Sequence, residues 1–262
     1  MTSTTPRRYS TRSMEKNYKR TLIFDVETTG LPQKNGDINK QPYITQLSFV
    51  VINVYFENEV TYEILVEHNY YIRINDSIEI SPKIVELTGI TKEKCLSDGV
   101  PIENVLYKFY KEYIKADRIV SHNIDFDSKM ILIEIERNYN KLTKMGCGVP
   151  FAIFNPMFNK VNNISLYCTM TEGRDVTNIV IEYKQSSVST LIPPPPPRPP
   201  RTYKKNPKLI ELYTHLYPEK CQPVGLHDAL VDTKVCMECY IRLQKPSFTK
   251  LEQLVEVEKE IK

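Results

Sequence analysis

The chain has 262 residues, 41% of them hydrophobic, with 35 Lys and Arg against 32 Asp and Glu. That length supports one substantial core or two small ones, and a 26% charged fraction is ordinary for a globular domain, which excludes a disordered polyelectrolyte. No apolar run is long enough to cross a bilayer, no secretory hydrophobic segment is present, and the six cysteines are scattered; the expected setting is intracellular and reducing, cytoplasmic or nuclear with an organelle also open, and without a membrane partner.

Residues 1–19 are rich in Ser, Thr and Arg and lack apolar periodicity. Arg7, Arg8, Arg12, Lys16, Lys19 and Arg20 face only Glu15, so the formal charge of +3 is concentrated at the front. The segment reads as a disordered basic tail, with a transit peptide or a nucleic-acid arm as the other readings. Order is expected from about residue 20 to 245 as one domain. Thr21 to Glu27 reads as a buried strand, and Tyr43 to Phe56 and Tyr62 to Ile74 read as two more in a meander that turns near Asn58. A helix starts at Ser81-Pro82, where serine caps and proline suits the first turn, and stops at Gly89.

Ile102, Val105, Leu106, Phe109 and Tyr113 recur at helical spacing. Arg118 to Ser121 is a fourth strand, and Asp125 to Tyr139 a helix with Met130, Ile131 and Ile135 on one side and Asp125 as its cap candidate. Asn163 to Thr169 is a fifth strand. Residues 170–206 break the pattern; within them a proline-rich insertion (about 176–206) carries Pro193 to Pro197 followed by Arg198, Pro199, Pro200 and Arg201, which favours exposed polyproline II. Lys208 to Tyr217 and Ala229 to Leu243 are helices, and 246–262 a charged helical tail. Cys236 and Cys239 form a single CxxC; without a second pair it reads as a helix face before a zinc site.

Three clusters carry the chemistry. Asp25 and Glu27 are two apart on a strand, so both side chains share one face, where their repulsion calls for a cation. Asp127 falls on the first turn of a helix, where the dipole favours a carboxylate with or without a metal. His227 and Asp232 are five apart, about 140° around a continuous helix; they reach one site if His227 lies in the loop before the helix, a placement that Pro223 and Gly225 support. An imidazole on a loop beside a metal site suits general-base work, and two divalent ions about 4 Å apart suit phosphodiester hydrolysis.

Taken together, Asp25-x-Glu27-Thr28-Thr29-Gly30, His122-Asn123-x-x-Phe126-Asp127 and His227-x-Ala229-x-x-Asp232, with Leu87-Thr88-Gly89-Ile90-Thr91 between the first two, resemble the DnaQ-like 3′–5′ exonucleases of the DEDD superfamily. Histidine at the fifth position before the last aspartate is similar to the DEDDh branch. The resemblance covers about 20–245 without the insertion. It implies an α/β, ribonuclease-H-like fold, with a central five-stranded mixed sheet flanked by helices. It makes Asp25, Glu27, Asp127 and Asp232 the metal ligands and His227 the general base. Two Mg²⁺ ions are implied, with Mn²⁺ able to substitute; Asp25 bridges them, Glu27 and Asp232 hold one, and Asp127 helps hold the other. The implied substrate is single-stranded nucleic acid or the 3′ end of a duplex, with DNA favoured over RNA. The substrate contacts fall on the Thr28 backbone amide, at the terminal 3′ hydroxyl, and on Leu31, as an apolar wedge. Tucking of Leu31 under the sheet edge is its other reading.

Readings from other classes are an adaptor, an inactive nucleic-acid-binding domain and, among enzymes, an RNA-trimming exoribonuclease. Pro193 to Arg201 holds two overlapping Pro-x-x-Pro-x-Arg patterns, suited to the aromatic-lined groove of an SH3- or WW-type partner, while a stiff spacer explains the same composition.

Overall fold

The computed structural model describes residues 17–34, 36–182 and 202–245. The expectations for the basic tail up to residue 16, for Pro193–Arg201 with its groove partner, and for the tail 246–262 lie outside the described residues.

β1 (Tyr18–Thr28) shows how the sequence builds the sheet. Its side chains alternate between faces. Leu22, Phe24 and Val26 enter one apolar cluster, and Ile23 enters a second on the opposite face. Asp25 and Glu27 continue the Ile23 face. β2 (Ile44–Phe56) and β3 (Val60–Tyr71) follow as an antiparallel meander. β4 (Arg118–Ser121) and β5 (Ser165–Cys168) add in parallel on the other side of β1. The order is β3-β2-β1-β4-β5, the mixed five-stranded sheet expected.

Helices cover both faces. α1 (Pro82–Thr88) and α2 (Lys92–Ser97) precede α3 (Ile102–Tyr113). α3 buries all five apolar residues read from its periodicity, beside Met130, Ile131 and Ile135 of α4 (Ile124–Lys144). α5 (Pro156–Val161) precedes β5. α7 (Leu209–Leu216) and α8 (Ala229–Leu243) sit on the other face, where Cys236, Met237 and Tyr240 pack on Ile23, Val50 and Val120. Cys236 and Cys239 are buried free thiols in these packing clusters.

The structure corrects the reading of 170–206. Thr169–Thr177 is a helix, α6. Its sequence has little apolar periodicity, and packing makes up for that: a Cβ on Gly173 would stand 2.7 Å from Leu212 of α7, so the glycine permits the close approach. β6 (Val180–Glu182) and β7 (Thr202–Lys204) pair antiparallel, so the described ends of the insertion meet. The cap of α4 is also corrected. Asn123 occupies it in the left-handed region (φ 73°), and Asp125 is an exposed first-turn residue.

Candidate active site

β1 and β4 are registered only from Thr21 to Ile23 and from Arg118 to Val120. Beyond that the pairing does not continue, and the strands part at their carboxyl ends, where an open α/β sheet usually offers a ligand crevice. Asp127 reaches into it from α4. Its Oδ2 accepts from the Ser121 hydroxyl (2.7 Å) and its Oδ1 from the Val26 amide (3.2 Å), so the acid is fixed to both strands. Asp25 and Glu27 point into the same crevice from β1.

The third cluster arrives from the opposite face. Asp228 caps α8, its Oδ1 accepting from the Leu230 and Val231 amides. Gln46 of β2 ties this end to the sheet at two points, donating to Asp228 Oδ2 (3.0 Å) and accepting from the Ala229 amide (3.1 Å). His227 lies in the loop before the helix, as its spacing from Asp232 required. It is exposed and held at φ 69°, while Gly225 two residues earlier has φ 82°. A non-glycine residue in that region marks local strain of the kind that collects at functional sites. The His227 amide donates to Asp232 Oδ2 (3.2 Å).

Ligand atoms of Glu27, His227 and Asp232 all lie within 4.8 Å of one another. Asp25 stands in the field of Asp127, Asp232, Glu27 and Asp228. The five residues predicted as catalytic therefore come together from β1, α4, α8 and the loop before α8. Burial and the neighbouring acids outweigh the hydrogen bonds to Asp127 and Asp232 and the His227 imidazole beside Asp232, so each proton affinity rises. Burial comes first for Asp25, followed by its four acidic neighbours, and holds it well above the carboxylate range. Glu27 is pushed up to about 8 by burial and then by Asp232, Asp127 and Asp228. Burial lifts Asp127 to about 7 against the hydrogen bonds from Ser121 and Val26. Asp232 rises to about 6, again chiefly through burial.

This donor set fits divalent cations. Asp232 Oδ1 is buried and has no hydrogen-bond partner among the described residues, an expensive state for a carboxylate oxygen unless a cation completes it. Carboxylate oxygens with one neighbouring imidazole suit hard or borderline divalent ions.

Thr28 is buried directly after Glu27, and its hydroxyl donates to the Gly30 carbonyl (2.7 Å), fixing the loop that follows. Leu31 on that loop is 79% exposed, so it is not tucked under the sheet. Sequence reasoning missed Asp228, Gln46 and Ser121. The Asp228 cap was legible as an aspartate immediately before a helical pattern. Gln46 and Ser121 carry no local signal, because their roles depend on strand register.

A mixed sheet of this order bearing an acid cluster with an imidazole beside it defines a nuclease of the ribonuclease-H-like fold. The chain belongs to the exonuclease family, which matches residues 22–187, and within it is a DnaQ-like DEDD exonuclease. Among curated relatives, the PolC-type DNA polymerase III of Caldanaerobacter subterraneus is 25% identical over 86% of this chain and 13% of its own length. The DNA polymerase III subunit epsilon of Buchnera aphidicola is 28% identical over 58% of this chain and 62% of its own. The chain thus spans only about an eighth of the first of these and under two thirds of the second. Among solved structures, E. coli exonuclease I in complex with a dT13 oligonucleotide shares the fold, with a TM-score of 0.57 at 14% identity over 90% of this chain and 43% of that one. The zinc-bound form of the E. coli exonuclease I complex with single-stranded DNA gives 0.55 at 16%, over 91% and 42%.

Proposed function

We propose that the protein removes 5′-nucleotides one at a time from the 3′ end of single-stranded nucleic acid, DNA before RNA, with two divalent cations, Mg²⁺ or Mn²⁺. The observation that carries this reading is a crevice of mutually repelling carboxylates with an unpartnered buried oxygen on Asp232 and an imidazole at its open edge. The DNA preference draws support from relatives named as DNA polymerase III components and from fold neighbours bound to DNA oligonucleotides.

Asp25, Glu27, Asp127 and Asp232 would hold the cations, which neutralise phosphate charge and acidify water when bound. The protein's own groups do the rest. Ser121 and the Val26 amide keep the Asp127 carboxylate aimed into the crevice. His227 stands at the solvent edge, where its imidazole takes the proton of the attacking water and passes it to bulk. Its amide contact to Asp232 couples the loop position to the acid. The Thr28 amide meets the terminal 3′ hydroxyl, and exposed Leu31 wedges against the last bases, which limits attack to chain ends.

Matched DNA and RNA oligonucleotides labelled at either end, incubated with Mg²⁺ or with chelator, test the reading. The expected result is stepwise shortening from the 3′ end with 5′-mononucleotide products, absent with chelator and absent in Asp25→Ala and His227→Ala. Activity that survives in both variants rejects the assignment; removal from the 5′ end rejects the polarity; faster loss of RNA reverses the substrate order.

A further inference from the structure

Glu27, Gln46 and Tyr71 form one row across the sheet. Glu27 is registered opposite Gln46, and Gln46 opposite Tyr71. Residues directly opposite share a face, so Tyr71 lies on the face of the acid cluster, two strand spacings or about 10 Å from Glu27. Above it stands Lys94 of α2, its Nζ 4.1 Å from the Tyr71 ring centroid. The helix is fixed locally: Thr91 Oγ1 accepts from the Lys94 amide (3.2 Å), and Cys95 is buried with Ile74 and Ile90 in a small cluster against which Tyr71 packs.

Two lysines on this one short helix differ. Lys92 is paired with Glu79 at 2.6 Å. Lys94 has the aromatic ring and, among the described residues, no carboxylate within ion-pair distance. Contact with Tyr71, and more weakly Asp98 and Asp228, raises its proton affinity, so the ammonium stays charged. A cation parked over a ring is held extended yet keeps its donors available for an anion. We infer that Lys94, propped on Tyr71, grips a backbone phosphate of the bound strand upstream of the scissile bond and sets its path into the crevice. This rests on the nuclease reading and adds to it a positioning residue.

The test is steady-state hydrolysis of single-stranded DNA of roughly ten nucleotides by the wild type, Lys94→Gln, Lys94→Arg and the control Lys92→Gln at several salt concentrations. Lys94→Gln is expected to raise KM about 3–10-fold with kcat little changed, and to flatten the salt dependence by about one phosphate contact. Lys94→Arg retains most of the affinity, and Lys92→Gln matches the wild type. A neutral methylphosphonate walked along the substrate raises the wild-type KM at one upstream position, where Lys94→Gln is indifferent. An unchanged KM and salt slope in Lys94→Gln, a loss confined to kcat, or a wild type insensitive to every upstream methylphosphonate overturns the assignment while leaving the nuclease reading intact. Should the wild type hydrolyse no oligonucleotide, the nuclease reading itself falls, and the phosphate grip with it.

Discussion

Two clusters of charge in this fold have opposite character. Glu134 and Arg137 of α4 form a closed pair at 2.8 Å, with side chains only 4% and 9% exposed. The guanidinium also donates to the carbonyls of Ile38, Gln41 and Pro42 and lies 3.7 Å from the Tyr43 ring centroid, while Glu134 accepts from the Ile44 amide. Charge, hydrogen bonds and shape are all satisfied within the chain. In the crevice, Asp127 and Asp232 accept from amides and a hydroxyl, Asp25 and Glu27 stand in the field of their acidic neighbours, and Asp232 Oδ1 has no hydrogen-bond partner among the described residues. The first cluster pins the loop that follows β1; the second is incomplete until something positive arrives from outside. A complete buried ion pair is therefore structural here, and an incomplete one marks the chemistry.

That contrast can be broken from either side. Asp25→Asn removes a charge from the incomplete cluster, and turnover should fall about 10³-fold or more, because the lost electrostatic stabilisation is worth several kcal/mol. The same variant should be more stable than the wild type in chelator at pH 8, which urea unfolding at that pH checks; lower stability there would show that the repulsion is not real. Arg137→Met attacks the complete cluster. It leaves Glu134 buried and unpaired and should cost about 3–5 kcal/mol in urea unfolding, with most of the loss recovered in Arg137→Met/Glu134→Leu.

The pH dependence separates the two clusters more finely. The crevice acids have folded proton affinities raised above those of the unfolded chain, to about 8 for Glu27, 7 for Asp127 and 6 for Asp232. Their contribution to stability is fully present below about pH 4 and is lost as pH rises through 6 to 8. In chelator, the wild type should therefore lose Tm relative to Asp25→Asn between pH 5 and pH 8. Added Mg²⁺ should restore more at pH 8 than at pH 5; an equal gain at both would argue against binding by these acids. The smallest effect is expected at the helix cap. Asp228→Ala should cost about 1 kcal/mol at pH 5 and less at pH 8 in chelator, because it also removes a like charge from beside Asp25 and Glu27; melting curves at both pH values read the difference.

Much of this was legible before any tertiary information. Local pattern placed the five strands of the main sheet and the helices that flank the catalytic residues, because β-branched runs, helical spacing and caps such as Ser81 with Gly89 are properties of neighbouring residues. The five catalytic candidates were legible for the same reason, since each cluster lies within a few residues. α6 was missed because its sequence has little apolar periodicity, and the close approach of Gly173 to Leu212 supplies the packing instead. Leu31 had two readings in sequence, and exposure decided between them.

Charge, the apolar faces and the loop that leads into α8 can be read from neighbouring residues alone. It took the assembled sheet and its helices to bring Gln46 to Asp228 across 182 positions, Asp127 into the crevice from the opposite face to Asp232, and Lys94 over Tyr71, which shares a row with Glu27. The reason is physical. Secondary structure follows from interactions over a few residues, whereas strand register and the burial of like charges are set by the packing of the whole sheet, and no local pattern encodes them.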